Sequence, residues 1–458
     1  MKKRVDLVSG NIFKSLFKLS IPILGTSFIQ MAYSMVDMIW VGRIGSAAVA
    51  AVGTAGFFAW FGSSLVLVTK TGAEVGVSQA VGKKDNNLKE KYVYNSLTMA
   101  IAIAIIYTLL LLIFRNGLID FFNLNDPKII SMAVSYLIII SIGMIFSFLN
   151  PQFTGIITAE GNSKIPFIAN TTGLIINIIL DPILIFGFGP IKPLGVIGAA
   201  IATVFAQFIV TVIFIYVFIK EGYRIKIWDK KYIEFGCIKE IIKWGIPNAL
   251  QNCLFAFFGM LIGRIVATWG PVPIAVQKVG SQIESISWMT AGGFASALTA
   301  FTGQNYGAKK YKRVEDGYKY TLILSLVLGV LTSFILIVFG KQIFSIFIQE
   351  KDAIEQGVDY LRILGYSQLF MCIEITTAGA FFGVGKTIPP SLVGIVFTGM
   401  RIPLAIYLSQ ANILGINGVW WAISLTSMIK GVILVTLFIF MVLKPIKKRR
   451  IEIEQKFI

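Results

Sequence analysis

The chain has 458 residues, of which 56% are hydrophobic and 14% charged, and its mean hydropathy is +0.79. This composition excludes a soluble globular protein and indicates a membrane protein that crosses the bilayer many times. The formal net charge of +18 does not point to nucleic-acid binding, because the basic residues cluster in short segments between apolar runs, where they fix membrane topology.

Apolar runs long enough to cross a bilayer, roughly 20 residues, recur along the whole chain. Together with loop charge and Gly/Pro punctuation, they predict twelve transmembrane helices in two sets of six. The predicted spans are Asn11–Trp40, Ala47–Gln79, Tyr92–Phe114, Ile129–Ile157, Ile165–Phe188, Leu194–Ile219, Ile238–Trp269, Val272–Gln304, Tyr318–Gly340, Ala353–Gly383, Pro389–Ser409 and Leu414–Leu443. We therefore expect an all-α fold with a first lobe at 1–219, a cytoplasmic linker at 220–236, a second lobe at 237–443 and a basic tail at 444–458.

Lysine and arginine are concentrated in alternate loops, the linker and the tail, whereas the intervening loops carry almost none. Because positively charged loops stay on the cytoplasmic side, this pattern predicts that both termini are cytoplasmic. No small-residue cleavage motif follows the short basic start, so we expect no cleavable signal peptide. The three cysteines lack CxxC spacing and the chain has no histidine, which argues against a zinc site.

The two halves repeat each other at four pairs of short motifs with nearly constant separation. The pairs are Ser20-Ile-Pro22 with Gly245-Ile-Pro247, Ser78–Gly82 with Gly303–Gly307, Gly161–Pro166 with Gly385–Pro389, and Leu194–Gly198 with Leu414–Gly418. Since each half has six spans, the repeats should share one orientation and enclose a central cleft, an arrangement typical of alternating-access transporters. On this matching, Arg401 takes the repeat position of Asp181.

Two carboxylates, Asp37 and Asp181, lie inside long apolar runs. An ionisable group at membrane depth is costly and normally lines an ion or substrate path. Asn177 is four residues before Asp181 and therefore shares its helix face, and Pro182 withdraws a backbone N–H and frees a carbonyl oxygen. At about 1.5 Å per residue, Asp37, Asp181 and Thr203 lie on the order of 10 Å below the outer ends of their helices. These oxygen donors suit a hard cation such as Na⁺. Two such acids cannot both stay charged cheaply, so a proton would compete for the same place.

An ordered set of motifs resembles the multidrug and toxic compound extrusion (MATE) family over the full chain. The motifs are Val36–Arg43, Gln79–Gly82, Gly161–Lys164, Asn177–Pro182 and Gly198–Thr203. The resemblance implies an antiporter in a prokaryotic plasma membrane that exports amphipathic, often cationic, compounds in exchange for Na⁺ or H⁺, is not an enzyme, and uses no other cofactor. It also implies the cation ligands Asp37, Asn177, Asp181 and Thr203, with the carbonyl of Ala199, and bending of helices at Pro22, Gly25 or Pro182. We expect a monomer.

Other charged residues in the predicted spans have weaker assignments. Glu374 resembles, by its position before Gly383, an acidic site of other MATE branches, and Glu284 near Trp288 is a candidate for attracting a cationic substrate. Lys70 and Glu74 are four residues apart and are better explained as a structural ion pair.

Four alternatives remain beside this interpretation. The nearest is a flippase for lipid-linked oligosaccharides or lipid II, although such proteins generally have more helices and a more basic cavity. A major-facilitator transporter would need a Gly/Asp/Arg-rich loop after the second helix, and a membrane transferase would need a histidine or a polar catalytic loop. Finally, Asp37 or Asp181 could merely cap or bridge helices.

Overall fold

The computed structural model describes residues 4–124, 126–190, 192–223 and 233–455, so most of the predicted linker, residues 224–232, lies outside the described ranges. Within those ranges the chain forms fourteen α-helices and one π-helical turn, Ile439–Leu443, and no β-strand. The α-helices are α1 (Ile12–Ile44), α2 (Ser46–Lys83), α3 (Asn86–Asp120), α4 (Pro127–Ala159), α5 (Lys164–Phe186), α6 (Val196–Lys220), α7 (Phe235–Ala267), α8 (Pro271–Gly307), α9 (Tyr311–Val338), α10 (Gly340–Ser345), α11 (Lys351–Gly383), α12 (Ile388–Leu408), α13 (Asn417–Phe438) and α14 (Lys444–Gln455). The predicted all-α class is confirmed.

The twelve long helices correspond one to one with the twelve predicted spans. Ten of them are long and apolar enough to cross a membrane. The other two, α8 and α11, are equally long but more polar, and they carry Glu284 and Glu374. Two short helices, α10 and α14, were not predicted. Helix α14 contains most of the predicted basic tail and is continuous with α13 through the π-helical turn.

The chain divides into two compact units. Unit 1 consists of Gly25–Val77 and Asp85–Ala249, with Arg4, and unit 2 of Val5–Leu24, Ser78–Lys84 and the chain from Leu250 onward. Helices α1, α2 and α7 each contribute residues to both units. The lobe boundaries given above, at 219 and 237, stay predictions.

In unit 1, helix α4 packs against α3 and α6, and α5 packs against α6. Its core contains Tyr136 and Phe148 of α4, Ile185 of α5, and Ala199 of α6. Unit 2 uses the same pattern: α11 packs against α9 and α13, and α12 packs against α13. The helix pairs that carry the candidate residues are therefore arranged alike in each unit.

Matching glycines bring the helices of each unit close together. A Cβ atom on Gly198 of α6 would overlap the carbonyl of Leu184 in α5, and a Cβ atom on Gly418 of α13 would overlap that of Leu408 in α12. Small residues at such points let helix backbones approach closely. Gly198 and Gly418 belong to one of the repeated motifs, which explains why this motif recurs.

Candidate cation-binding site

Helices α1 and α5 bring Asp37 and Asp181 together inside unit 1. Asp181 and Asn177 are fully buried, and the Asn177 side-chain amide donates a hydrogen bond of 3.1 Å to Asp181 Oδ1. The carboxylates of Asp37 and Asp181 are close enough to repel each other electrostatically. Two acids from different helices thus share one buried location.

Thr203 of α6 and two tyrosines complete the surroundings of these acids. The Tyr33 hydroxyl lies next to Thr203 and within electrostatic range of both Asp37 and Asp181. Tyr136 of α4 interacts electrostatically with the same two carboxylates and is only 6% exposed. Helices α1, α4, α5 and α6 therefore all contribute polar side chains.

Ala199 lies one helical turn before Thr203 on α6. It is fully buried and belongs to the same core cluster as Tyr136. The role of its carbonyl as a cation ligand stays a prediction.

Several buried oxygen atoms at this location make no hydrogen bond of normal geometry within the described residues. They are Tyr33 Oη, Asp37 Oδ1, Asn177 Oδ1, Asp181 Oδ2 and Thr203 Oγ1. Among the described ion pairs, none involves Asp37 or Asp181. Each unsatisfied buried polar group costs about 1–3 kcal/mol. A cation or a proton would satisfy these oxygens.

The candidate donor atoms at this location are oxygens of carboxylate, amide and hydroxyl groups. The described residues contain no group of three or more acidic, cysteine or histidine side chains that could hold a metal ion. Two carboxylates, an amide oxygen and a hydroxyl instead suit a monovalent cation, which needs less compensating charge than Ca²⁺.

The residues predicted to bend helices lie inside continuous helices. Pro22 is within α1 and Pro182 within α5. A Cβ atom on Gly25 would come within 2.5 Å of the Phe167 ring, so α1 passes close to α5 at that glycine. Bending at these residues stays a prediction.

The charged residues inside the helices of unit 2 lie near groups of opposite charge, whereas no described ion pair involves Asp37 or Asp181 of unit 1. Glu374 of α11 forms an ion pair of 2.9 Å with Lys430 of α13. Arg401 of α12 is within electrostatic range of both Glu374 and Glu284. The Lys70–Glu74 pair, in unit 1, is present at 3.6 Å.

The structure corrects the repeat position of Arg401. The interval from Gly385 to Arg401 equals that from Gly161 to Asn177, and the matched contacts of Leu184 and Leu408 keep the same register. Arg401 therefore corresponds to Asn177, one turn from Asp181.

Sequence reasoning missed Tyr33, Tyr136 and Lys430. Tyr33 precedes Asp37 by four residues, and this helical spacing could have identified it. Tyr136 and Lys430 reach their acidic neighbours only through tertiary packing, so no local pattern marks them.

Two repeated sets of membrane helices, the first of which encloses a pair of acids, are typical of a polytopic membrane transport protein. Residues 22–183 and 247–407 each match the MatE family model. The chain therefore belongs to the MatE family, the multidrug and toxic compound extrusion transporters. Because the same model matches twice, the internal repeat is confirmed.

Named relatives cover nearly the whole chain. A probable multidrug resistance protein NorM of Thermotoga maritima is 28% identical over 89% of this chain and 88% of its own length. A FAD transporter of Shewanella oneidensis is 24% identical over 94% of this chain and 95% of its own. A multidrug resistance MATE family transporter in an outward-facing conformation superposes with a TM-score of 0.89 at 23% identity, covering 98% of this chain and 99% of that one. This last likeness shows the fold.

Proposed function

We propose that the protein is a cation-coupled antiporter that exports amphipathic organic compounds and takes up Na⁺ or H⁺ at the site formed by Asp37, Asn177, Asp181 and Thr203. The observation that supports this proposal most strongly is the set of buried oxygens around two acids that, in the described part of the chain, have neither a hydrogen bond of normal geometry nor a basic neighbour. A buried charge without a partner is costly, so the site has a strong tendency to acquire a cation.

Coupling requires that the cation bind two conformations with different affinity. Without a cation, Asp37 and Asp181 repel each other across α1 and α5. Na⁺ between them, or a proton on either, removes that repulsion and lets the two helices approach. We propose that α1 responds by bending near Pro22 or Gly25, which releases substrate outward. Since both ions relieve the same repulsion, they compete.

The proposed substrates follow from the names of the relatives. Two of the three proteins described above are named for multidrug resistance, and the third transports FAD. None of these names refers to lipid-linked oligosaccharides, so we do not retain the flippase alternative. Amphipathic organic compounds with a planar ring system are common to drugs and FAD, and we propose this class.

We further propose that the protein is a monomer in a prokaryotic plasma membrane with both termini in the cytoplasm. The loop charges of the sequence support this orientation. The start of α14 supports a cytoplasmic C-terminus, because Lys444, Lys447 and Lys448 follow directly after the last membrane helix.

The test is dye export by proteoliposomes in which a Na⁺ gradient and a pH gradient are imposed separately. We expect Asp37→Asn and Asp181→Asn to reduce gradient-driven export about 10- to 100-fold, the effect of removing an interaction of 1.5–3 kcal/mol with a charged group. Asp120→Asn, at an exposed acid of α3, is the matched control and should export normally. Normal export by both site variants would refute the proposal.

A further inference from the structure

Unit 2 contains a counterpart of the cation site at the equivalent place in the repeat. Tyr136 precedes Gly161 by the same interval as Tyr360 precedes Gly385, and Asn177 and Arg401 follow these glycines by equal intervals. Tyr136 lies beside Asp37 and Asp181. Tyr360 lies beside Glu284 and Arg401.

The two places differ in charge. In unit 2 no acid corresponds to Asp37 or Asp181, and the carboxylate comes instead from Glu284 of α8, next to Tyr360 and Gln368. Arg401 takes the place of the ligand Asn177. A cationic side chain thus lies where unit 1 presents oxygen donors.

The guanidinium of Arg401 is held in a fixed position. Its Nε donates to Thr426 Oγ1 at 3.1 Å and its Nη2 to Ser427 Oγ at 2.9 Å, both on α13. The neighbouring ion pair of Glu374 with Lys430 is almost completely buried, with exposures of 8% and 5%. Two acids and two bases therefore balance each other in unit 2.

We propose that Arg401 acts as a tethered cation that replaces a coupling ion in unit 2, so that each transport cycle couples to the site of unit 1 alone. This inference rests on the proposed function of unit 1 and specifies its stoichiometry. A guanidinium stays protonated in proteins, and a side chain attached to the same helix bundle competes at a high effective concentration with any free ion. Arg401 therefore keeps a permanent positive charge within electrostatic range of Glu284, and it cannot be released.

Removing this charge should open a new site. Without Arg401, Glu374 keeps its ion pair with Lys430, and the negative charge of Glu284 beside Tyr360 loses its basic neighbour. Glu284 Oε1 is buried and makes no hydrogen bond of normal geometry within the described ranges, so this oxygen can accept a cation. Na⁺ should then bind in unit 2.

The experiment measures equilibrium binding of ²²Na⁺ to purified full-length protein in which unit 1 is disabled by Asp37→Asn and Asp181→Asn. We expect no saturable binding in this double variant and one Na⁺ per chain after adding Arg401→Gln. Arg401→Lys, which keeps a tethered cation, is the matched control and should show no saturable Na⁺ binding. Glu284→Gln added to the Arg401→Gln protein should abolish binding again.

A folded, monodisperse Arg401→Gln protein that binds no Na⁺ would overturn the proposal, as would equal binding by the Arg401→Lys protein. If the Arg401→Gln chain does not fold, the wild-type stoichiometry decides: one Na⁺ per chain supports the inference, and a second Na⁺ that Glu284→Gln removes refutes it. If the double variant binds Na⁺ like wild type and independently of Glu284, the proposed site of unit 1 is refuted. The Na⁺ binding of the Arg401 variants is then compared with the binding of the double variant.

Discussion

Tyr136 and Tyr360 occupy equivalent positions in the internal repeat, and each is buried beside the charged residues of its own unit. Tyr136 lies near two acids and no described base, whereas Tyr360 lies near one acid and one base. The same helical framework therefore surrounds a site that can gain a cation in unit 1 and a site already neutralised in unit 2. The repeat explains the geometry. The difference in charge comes from the absence of counterparts of Asp37 and Asp181 in unit 2 and from the exchange of Asn177 for Arg401.

Tyr33→Phe should weaken cation binding without abolishing it. The Tyr33 hydroxyl lies next to Thr203 and near both acids, and it makes no hydrogen bond of normal geometry in the described part of the chain. Loss of one neutral polar group corresponds to about 1 kcal/mol, so the Na⁺ concentration for half-maximal export should rise about 5-fold. An unchanged Na⁺ dependence in a normally folded variant would place this hydroxyl outside the site.

Gly198→Ala should destabilise unit 1. The added Cβ would overlap the Leu184 carbonyl, a backbone atom that cannot move without shifting α5. Overpacking of this kind costs about 1–3 kcal/mol, and the thermal unfolding midpoint should fall accordingly. Gly53→Ala in α2 is the control, because a Cβ there meets nothing within 4 Å and alanine favours helix. Equal midpoints for the two variants would contradict the close approach of α5 and α6.

Glu160 should make stability fall as the pH rises through the mildly acidic range. It follows the end of α4, where burial raises its pKa above 4.5 despite the opposing charges of Lys89, at 3.3 Å, and Arg4, at 3.0 Å. Because the folded state then holds this proton more tightly than the unfolded state, folding is favoured below about pH 4.5. That advantage is lost as the pH rises to the folded-state pKa.

Thermal unfolding of the purified protein over a pH series tests this sign. Glu160→Gln cannot ionise, so its unfolding midpoint should lack the part of the pH dependence that Glu160 causes. Identical pH profiles for wild type and Glu160→Gln would show that burial and the two ion pairs cancel at this carboxyl.

Arg313→Gln should release the segment before α1. Arg313 donates hydrogen bonds to the carbonyls of Leu7, Ser9 and Gly10, at distances of 2.9–3.3 Å, and the Leu7 side chain is fully buried. Loss of these charge-assisted bonds, about 1.5 kcal/mol or more, should accelerate tryptic cleavage in this segment about 10-fold. Lys312→Gln also removes one basic residue but is exposed, and should be cleaved at the wild-type rate.

The helix count and the acids were predictable because they depend on local composition. Twelve apolar runs identify the twelve long helices, and Asp37 and Asp181 stand out because few charges interrupt such runs. Their proximity was expected from equal depth along α1 and α5, and the two carboxylates lie within electrostatic range of each other.

The features that the sequence did not predict depend on tertiary packing. The backbone contacts of Gly198 and Gly418 show which residues of α12 correspond to those of α5 in the repeat, and they move Arg401 by one turn from the position that the sequence motifs gave it. The pairing of Glu374 with Lys430 joins two helices far apart in sequence. An apolar run also does not reveal where a helix stops, so the continuation into α14 was missed.

The most direct test of the central claim, that one buried site in unit 1 takes up either Na⁺ or a proton, is the pH change when Na⁺ is added to purified protein in weakly buffered solution. The account predicts that Na⁺ displaces protons from wild-type protein and that Asp37→Asn and Asp181→Asn each abolish this release, whereas Asp120→Asn preserves it. Proton release of wild-type size from both site variants, or none from the wild type, would contradict it.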